Sequence, residues 1–267
     1  MKISIITPNY NGARYLETTL RSVLEQDIHP HRLEYIVVDG GSTDASPGII
    51  ERYRHQLAMV VSGPDQGPAD AINKGLKQAT GDLVGWINAD DMYHPGTLAR
   101  VITDAEAHPG AALLFGRCRI VDEAQHEIRR GVTCFKESLF PFSSRFAIQS
   151  INYISQPAMW FRRSAFEKAG FLRTDMKAAF DYDFTLRLWR HGGGARIPGP
   201  FLSDFRWHPG SISGQHFVRQ FREEWEAARA DAGPWAPQTW LHWLVQWGIV
   251  GCYTIMTADH RGKTGTK

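Results

Sequence analysis

Short apolar runs and amphipathic stretches alternate along the first 115 residues. Residues 3–6, 35–38, 58–61, 83–87 and 112–115 are almost continuously apolar, which suits strands buried on both faces of a parallel sheet. Between them Leu16, Leu20, Val23 and Leu24 recur at i, i+4, i+7, i+8. Ile72, Leu76 and Ala79 follow i, i+4, i+7, and Leu98, Val101, Ile102 and Ala105 follow i, i+3, i+4, i+7. Each set marks one buried helix face. The alternation predicts βαβ units wound into an α/β fold, a Rossmann-like, doubly wound and mostly parallel sheet. Such sheets bind ligands beyond the carboxyl ends of their strands.

After residue 115 the alternation becomes irregular. A hairpin is predicted from 117–121 and 127–132, strands over 158–161 and 201–207, and helices over 182–191 and 217–230. Gly192, Gly193, Gly194 and Pro198-Gly199-Pro200 mark loops, not a linker, so residues 1–231 read as one domain with halves of about 1–115 and 116–231. The remainder, 232–267, reads as an apolar C-terminal helix and a basic tail. Within it 240–256 is apolar around most of its circumference, with Trp240, Trp243, Leu244 and Trp247 at i, i+3, i+4, i+7. That stretch is short of the ~20 residues a spanning helix needs. Its tryptophans, with Arg261, Lys263 and Lys267 behind them, suit a helix lying on a bilayer, the alternative being packing on the protein's own core or on a second subunit.

Composition narrows the partners. Hydrophobic residues at 43% and charged residues at 22% are ordinary for a folded globular chain. A net charge of +2 and the lack of any Lys/Arg block argue against nucleic acid. Cys118, Cys134 and Cys252 form no CxxC pair and are odd in number, which predicts buried free thiols rather than a zinc site or disulfides. Met1-Lys2 runs straight into the first apolar run without a signal peptide, so a cytoplasmic body is expected, held peripherally on the inner face of the plasma membrane if 240–256 attaches there.

Four polar clusters follow four of the predicted strands: Thr7-Pro8-Asn9-Tyr10-Asn11; Asp39 to Asp44; Asp65-Gln66-Gly67 with Asp70, Asn73 and Lys74; and Asn88-Ala89-Asp90-Asp91. Taken singly, each has a structural explanation, such as Asp44 capping a helix or Gly40-Gly41 making a turn. Four at one sheet edge favour a ligand site. Adjacent carboxylates at a strand end repel unless a cation keeps both ionised. Oxygen ligands suit Mg2+ or Mn2+, which commonly share one or two carboxylates with substrate phosphates. Neither a Walker A motif nor GxGxxG is present, which argues against a P-loop enzyme or a nicotinamide dehydrogenase.

These clusters, in this order, resemble family 2 glycosyltransferases of the GT-A fold. Ala79-Thr80-Gly81-Asp82, Trp86-Ile87-Asn88-Ala89-Asp90-Asp91, Gln156-Pro157-Ala158, Asp181-Tyr182-Asp183 and Arg206-Trp207-His208-Pro209-Gly210-Ser211 extend the likeness over roughly residues 3–213. The resemblance implies inverting, hexosyltransferase-type transfer from a nucleotide diphosphate sugar to a saccharide or lipid-linked saccharide acceptor, as in surface polysaccharide synthesis. It makes 1–115 the nucleotide-binding half and 116–231 the acceptor half. Pro8 and Asp39 would line the base pocket with Asp65 beside it, and Asn9, Tyr10, Asp70, Asn73, Lys74 and Asn88 would belong to the donor site. Asp90 would meet the ribose, Asp91 would hold Mg2+ or Mn2+ on the diphosphate, and His208 would approach that metal. Asp181 falls at the catalytic base, with Asp183 as the alternative and helix capping as the competing role.

Two positions depart from the family pattern. Asn88 stands where a first Asp of D-x-D belongs, and Phe180 where many members carry Glu before the base. A non-catalytic nucleotide-sugar-binding protein and a sugar nucleotidyltransferase are the competing functions.

Overall fold

All five apolar runs of the first half become strands in the computed structural model, which describes residues 1–215 and 217–247. They are β1 (Lys2–Asn9), β2 (Arg32–Asp39), β3 (Met59–Ser62), β4 (Leu83–Trp86) and β6 (Leu113–Phe115). With β8 (Met159–Arg162) and β9 (Gly194–Arg196) they form a seven-stranded sheet ordered β3-β2-β1-β4-β8-β6-β9. Pairing is parallel throughout except at β8, which runs antiparallel to both β4 and β6. The register of β1 on β2 ends at Asn9↔Asp39, so the first two polar clusters emerge side by side.

The sheet is covered on both faces, as the near-continuous apolarity of its strands requires. On one face Ile3 and Ile5 pack with Leu16, Leu20 and Val23 of α1 (Ala13–Leu24), Ile49 and Ile50 of α2 (Ser46–Tyr53), and Leu98, Val101 and Ile102 of α4 (Thr97–Ala107). On the other, Ile6, Val84 and Trp86 pack with Ile72 and Leu76 of α3 (Pro68–Gln78) and Phe184 and Leu188 of α8 (Phe180–Trp189). α3 lies so close to the sheet that a Cβ on Gly75 would come within 2.5 Å of Ile6 Cγ2. Gly75→Ala is therefore expected to lower stability by about 1–3 kcal/mol, the usual penalty of overpacking, measurable as an earlier midpoint in urea.

A second sheet brings distant parts of the chain to the site. In it β10 (Ser203–Arg206) lies between β5 (Met92–Tyr93), antiparallel, and β7 (Cys118–Val121), parallel. Asp204 opposite Met92 carries residues 206–208 alongside Asp90 and Asp91. The expected hairpin is correspondingly cut short. Val121 bridges Glu127, and Ile128 N donates to the Ile120 carbonyl at 2.8 Å. Arg129 then turns left-handed, at φ 53°, and α5 (Arg130–Ser138) begins where the second arm was expected. The full-length partner of β7 is β10 instead.

The remaining helices are α6 (Arg145–Ser150), α7 (Arg163–Ala169), α9 (Ile212–Gln215) and α10 (Phe217–Ala232), followed by a helix over 237–247. α10 packs on α8 and α6. Cys118 is buried as expected, whereas Cys134 is exposed, because α5 buries only Thr133. Among the described residues no helix is long and apolar enough to cross a membrane. Residues 248–256, Cys252, Arg261, Lys263 and Lys267 lie outside the described residues.

Candidate functional site

The polar clusters converge beyond the carboxyl ends of β1, β2, β3 and β4. At the first two, Asp39 accepts from Asn9 Nδ2 (2.7 Å), Ser42 Oγ (2.6 Å) and Ser42 N (3.0 Å). Asn11, held at φ 51°, accepts from Thr43 N at 2.8 Å. Asp44 accepts from Ala13 N at 3.0 Å and Ser46 N at 2.9 Å, tying the two loops and helix starts together. Asp39 and Asn9 are thereby buried supports, while Tyr10 is 66% exposed and Pro8 half-buried at the mouth.

Asp65 reaches this edge because position 40 is glycine: a Cβ there would sit 2.3 Å from Asp65 Oδ2. Its other oxygen accepts from Gly67 N at 2.8 Å, just ahead of α3. In the first turn of α3, Asp70 accepts from Gln66 N (3.1 Å) and pairs with Lys74 (3.4 Å), whose Nζ also donates to the Pro64 carbonyl at 2.7 Å. Asp65, Asp70 and Lys74 form one half-exposed rim. Asn73 does not join it. Buried, it donates to the Leu172 carbonyl and accepts from Leu172 N, both at 2.9 Å. It is a strut between α3 and the loop after α7, its amide engaged with the Leu172 backbone.

After β4 the two neighbouring carboxylates part company. Asp91 is 1% exposed; Arg206 N donates to its Oδ1 at 2.9 Å and Asn88 Nδ2 to its Oδ2 at 3.2 Å. Burial and the adjacent Asp90 charge push its carboxyl well above the usual carboxylate range. Asp90 instead turns outward, where His208 Nε2 donates to its Oδ2 at 3.0 Å. These two side chains lie 118 positions apart in sequence. They are braced from behind by Arg206, which donates to the Asp90 carbonyl at 2.9 Å and the Glu123 carbonyl at 3.1 Å. The Arg206 guanidinium lies 4.5 Å from the Tyr15 ring centre, and that ring stacks near His208 at 5.3 Å. The Tyr15 hydroxyl donates to Glu123 at 2.6 Å. Asn88 also donates to Gln156 Oε1 at 3.3 Å, and Gln156 donates to the Trp86 carbonyl at 2.7 Å.

Asp181 opens α8, half-buried, and accepts from Tyr182 N at 2.8 Å. Burial and the charge of Glu224 hold its carboxyl up at about 6. Glu224, itself buried in α10 and raised by burial, is held by Asn152 Nδ2 at 3.1 Å and Gln220 Nε2 at 3.0 Å. Its neighbour Glu223 accepts from Ala178 N (2.8 Å) and Ala179 N (3.1 Å), fixing the turn that presents Asp181. Asp183 is engaged elsewhere, paired with Arg187 at 2.9 Å. Phe180 is a core residue, 7% exposed, so that position is turned into the apolar layer.

Tyr15, Glu123 and Glu224, which the sequence did not single out, pack against these candidate residues. A buried Glu223-Glu224 pair in a charged helix leaves no distinguishing mark in the sequence, while Arg206 was visible within the Arg-Trp-His-Pro-Gly-Ser motif.

The family model for "Glycosyl transferase family 2" matches residues 4–170, more than half of the chain. The chain belongs to that family. Over 117 residues it is 36% identical to the poly(ribitol-phosphate) beta-N-acetylglucosaminyltransferase TarS of Staphylococcus aureus, covering 43% of this chain but only 20% of TarS. The PGL/p-HBAD biosynthesis glycosyltransferase of Mycobacterium bovis is 28% identical over 193 residues, 70% of this chain and 69% of that protein. In fold, the chain is similar to TarS solved with UDP-GlcNAc (TM-score 0.69, 23% identity, 87% of this chain and 66% of that one). It is also similar to the mannosyltransferase PcManGT of Pyrobaculum calidifontis solved with GDP-Man and Mn2+ (TM-score 0.64, 22% identity, 96% of this chain and 80% of that one). These likenesses establish the GT-A fold of this family 2 member, a mostly parallel sheet flanked by helices.

Proposed function

We propose that this family 2 member is a metal-dependent, inverting glycosyltransferase that moves a sugar from a nucleotide diphosphate sugar to an acceptor hydroxyl in building a surface polysaccharide or glycolipid. The observation that carries this reading is the Asp90–His208 pair, a carboxylate and an imidazole 3.0 Å apart at the ligand-binding edge of the sheet. Family membership and the glycan-building relatives support it.

The metal assignment departs from the one expected from sequence. Asp91, expected as the ligand, already accepts one hydrogen bond on each oxygen and is buried; Asp90, expected at the ribose, faces His208. We therefore give Mg2+ or Mn2+ to Asp90 and His208. Among the described residues no three His, Cys, Asp or Glu side chains converge on one point. Two protein ligands fit a cation that shares its remaining positions with diphosphate oxygens and water, not a closed protein cage. When bound, such a cation neutralises charge building on the leaving diphosphate.

The chain's own residues do the rest. Arg206 and Asn88 fix the Asp91 turn so that Asp90 and His208 point outward. Asp39, Asn9 and Ser42 hold the loop beneath the base, Tyr10 and Pro8 offer it a face, and the Asp65–Asp70–Lys74 rim closes the far side. Asp181, ionised above about pH 6, takes the acceptor proton as the hydroxyl oxygen attacks the anomeric carbon opposite the leaving group. A single displacement of this kind inverts configuration. We assign residues 1–231 to this transferase unit.

The test is calorimetric titration of nucleotide diphosphate sugars of each base, with and without Mn2+, followed by a transfer assay with whichever binds. Mn2+-dependent binding of at least one donor is expected. A panel in which none binds would sink the transferase reading.

A further inference from the structure

The helix over 237–247 is built inside out. Its polar side chains face the protein: Thr239 and His242 are buried, His242 Nδ1 donates to the Gln149 carbonyl at 3.1 Å, and Gln238 donates to Gln149 Oε1 at 3.0 Å. Its opposite face carries Trp240, Trp243, Leu244 and Trp247, which are 53%, 40%, 59% and 58% exposed. Surface helices ordinarily point the apolar stripe inward. A contiguous apolar face turned to water marks an interaction surface.

A second element continues this face. α6 meets the helix at Gln149, and the chain leading through α6 exposes Phe142 (72%) and Phe146 (51%). Residues 129–146 also carry Arg129, stacked on Trp207, with Arg130, Lys136 and Arg145 against Glu137, Arg145 also pairing with Asp231 at 3.3 Å, which leaves a net positive charge there. Along the sequence no Asp, Glu, Lys or Arg occurs between Asp231 and Asp259, so the tryptophan face carries no acidic group of its own.

We propose that this face docks the protein on an anionic lipid surface, the helix lying in the headgroup layer with Phe142 and Phe146 beside it. Two features favour lipid over a second copy of the chain. Tryptophan rings sit well at the headgroup level, and the basic excess beside the phenylalanines complements anionic headgroups rather than an identical basic surface. The docking places the acceptor half against the lipid. His242 Nδ1 lies 3.4 Å from Tyr182 Oη, and Tyr182 follows Asp181 directly in α8. Only this last consequence rests on the transferase reading; vesicle binding does not.

The test uses the full chain in flotation with equimolar phosphatidylglycerol–phosphatidylcholine vesicles and with pure phosphatidylcholine vesicles. The wild type should float with the anionic vesicles and lose binding at high salt. Trp240→Glu/Trp243→Glu/Trp247→Glu should reduce partitioning on the order of 10-fold or more, and Phe142→Glu/Phe146→Glu several-fold. Because these side chains point outward, both variants should keep the wild-type circular dichroism and donor binding. On the wild type, brominated lipids should quench tryptophan fluorescence, a readout that needs no variant. No flotation and no quenching overturns the proposal. So does a wild-type dimer that the Trp variant dissolves while vesicles remain unbound, which gives the face to a second copy. Failure of donor binding alone would count against the transferase reading and leave the lipid surface standing.

Discussion

Asp90→Ala is expected to abolish Mn2+-dependent binding of the donor and reduce transfer by about 10³-fold or more, whereas Asp91→Asn should keep both the fold and much of the donor affinity. The contrast follows from where the two side chains point. Asp90 turns outward to His208, while Asp91 is a buried acceptor for Arg206 N and the Asn88 amide. Removing a cation's carboxylate ligand removes its neutralisation of the leaving diphosphate. Replacing the buried Asp91 carboxyl by its amide leaves one of those donors without an acceptor, at about 1–3 kcal/mol, but also removes a carboxyl that burial holds well above its usual range, and the two effects offset. Calorimetry with and without Mn2+, paired with thermal melts, separates the two outcomes. Equal loss of donor binding in both variants would undo the distinction.

The second large effect is at Asp181. Asp181→Asn should leave donor binding intact and lower transfer by roughly 10²–10⁴-fold, the range for loss of a general base. In the wild type, log kcat/KM should climb with pH and level off above about 6, where burial and Glu224 hold the Asp181 carboxyl. The sign for stability is opposite. A carboxyl whose folded value lies above its unfolded one binds more protons when folded, so its ionisation destabilises the fold as pH rises through about 4 to 6. Asp181→Asn is therefore expected to stabilise the protein at pH 8 by on the order of 2 kcal/mol while disabling it, a trade typical of catalytic groups. A variant that is both active and unchanged in stability would return Asp181 to helix capping.

The half of the fold made of consecutive βαβ units was legible because each strand is buried on both faces and so reads as an unbroken apolar run: 3–6, 35–38, 83–87. The other half was harder, since β5, β7 and β10 are short and find their partners across 80 residues or more, as Arg119 does opposite Asp204. Periodicity carries no record of such pairing. That is why a local hairpin was expected where β7 in fact lies against β10. At the site, the clusters at the strand ends were visible as residue types, yet their division of labour was not. Asp90 and Asp91 are chemically identical neighbours, and only the turn after β4, held by Arg206 115 positions beyond Asp91 in the sequence, decides which one faces His208. Asn73 sits within the same motif as Asp70 and Lys74, but the helix turns it inward to Leu172. Phe180, which from sequence counted against catalysis, is a core residue, and the second carboxylate beside Asp181 comes from Glu224 on α10.

On the proposed function, the edge of the sheet holds a nucleotide diphosphate through a cation on Asp90 and His208. Anomalous scattering from crystals grown with Mn2+ and a bound nucleotide diphosphate sugar tests it most directly. The expected map has one manganese peak within bonding distance of Asp90 and His208 Nε2, touching the diphosphate. A peak seated on Asp91, or a diphosphate bound with no manganese near His208, would contradict it.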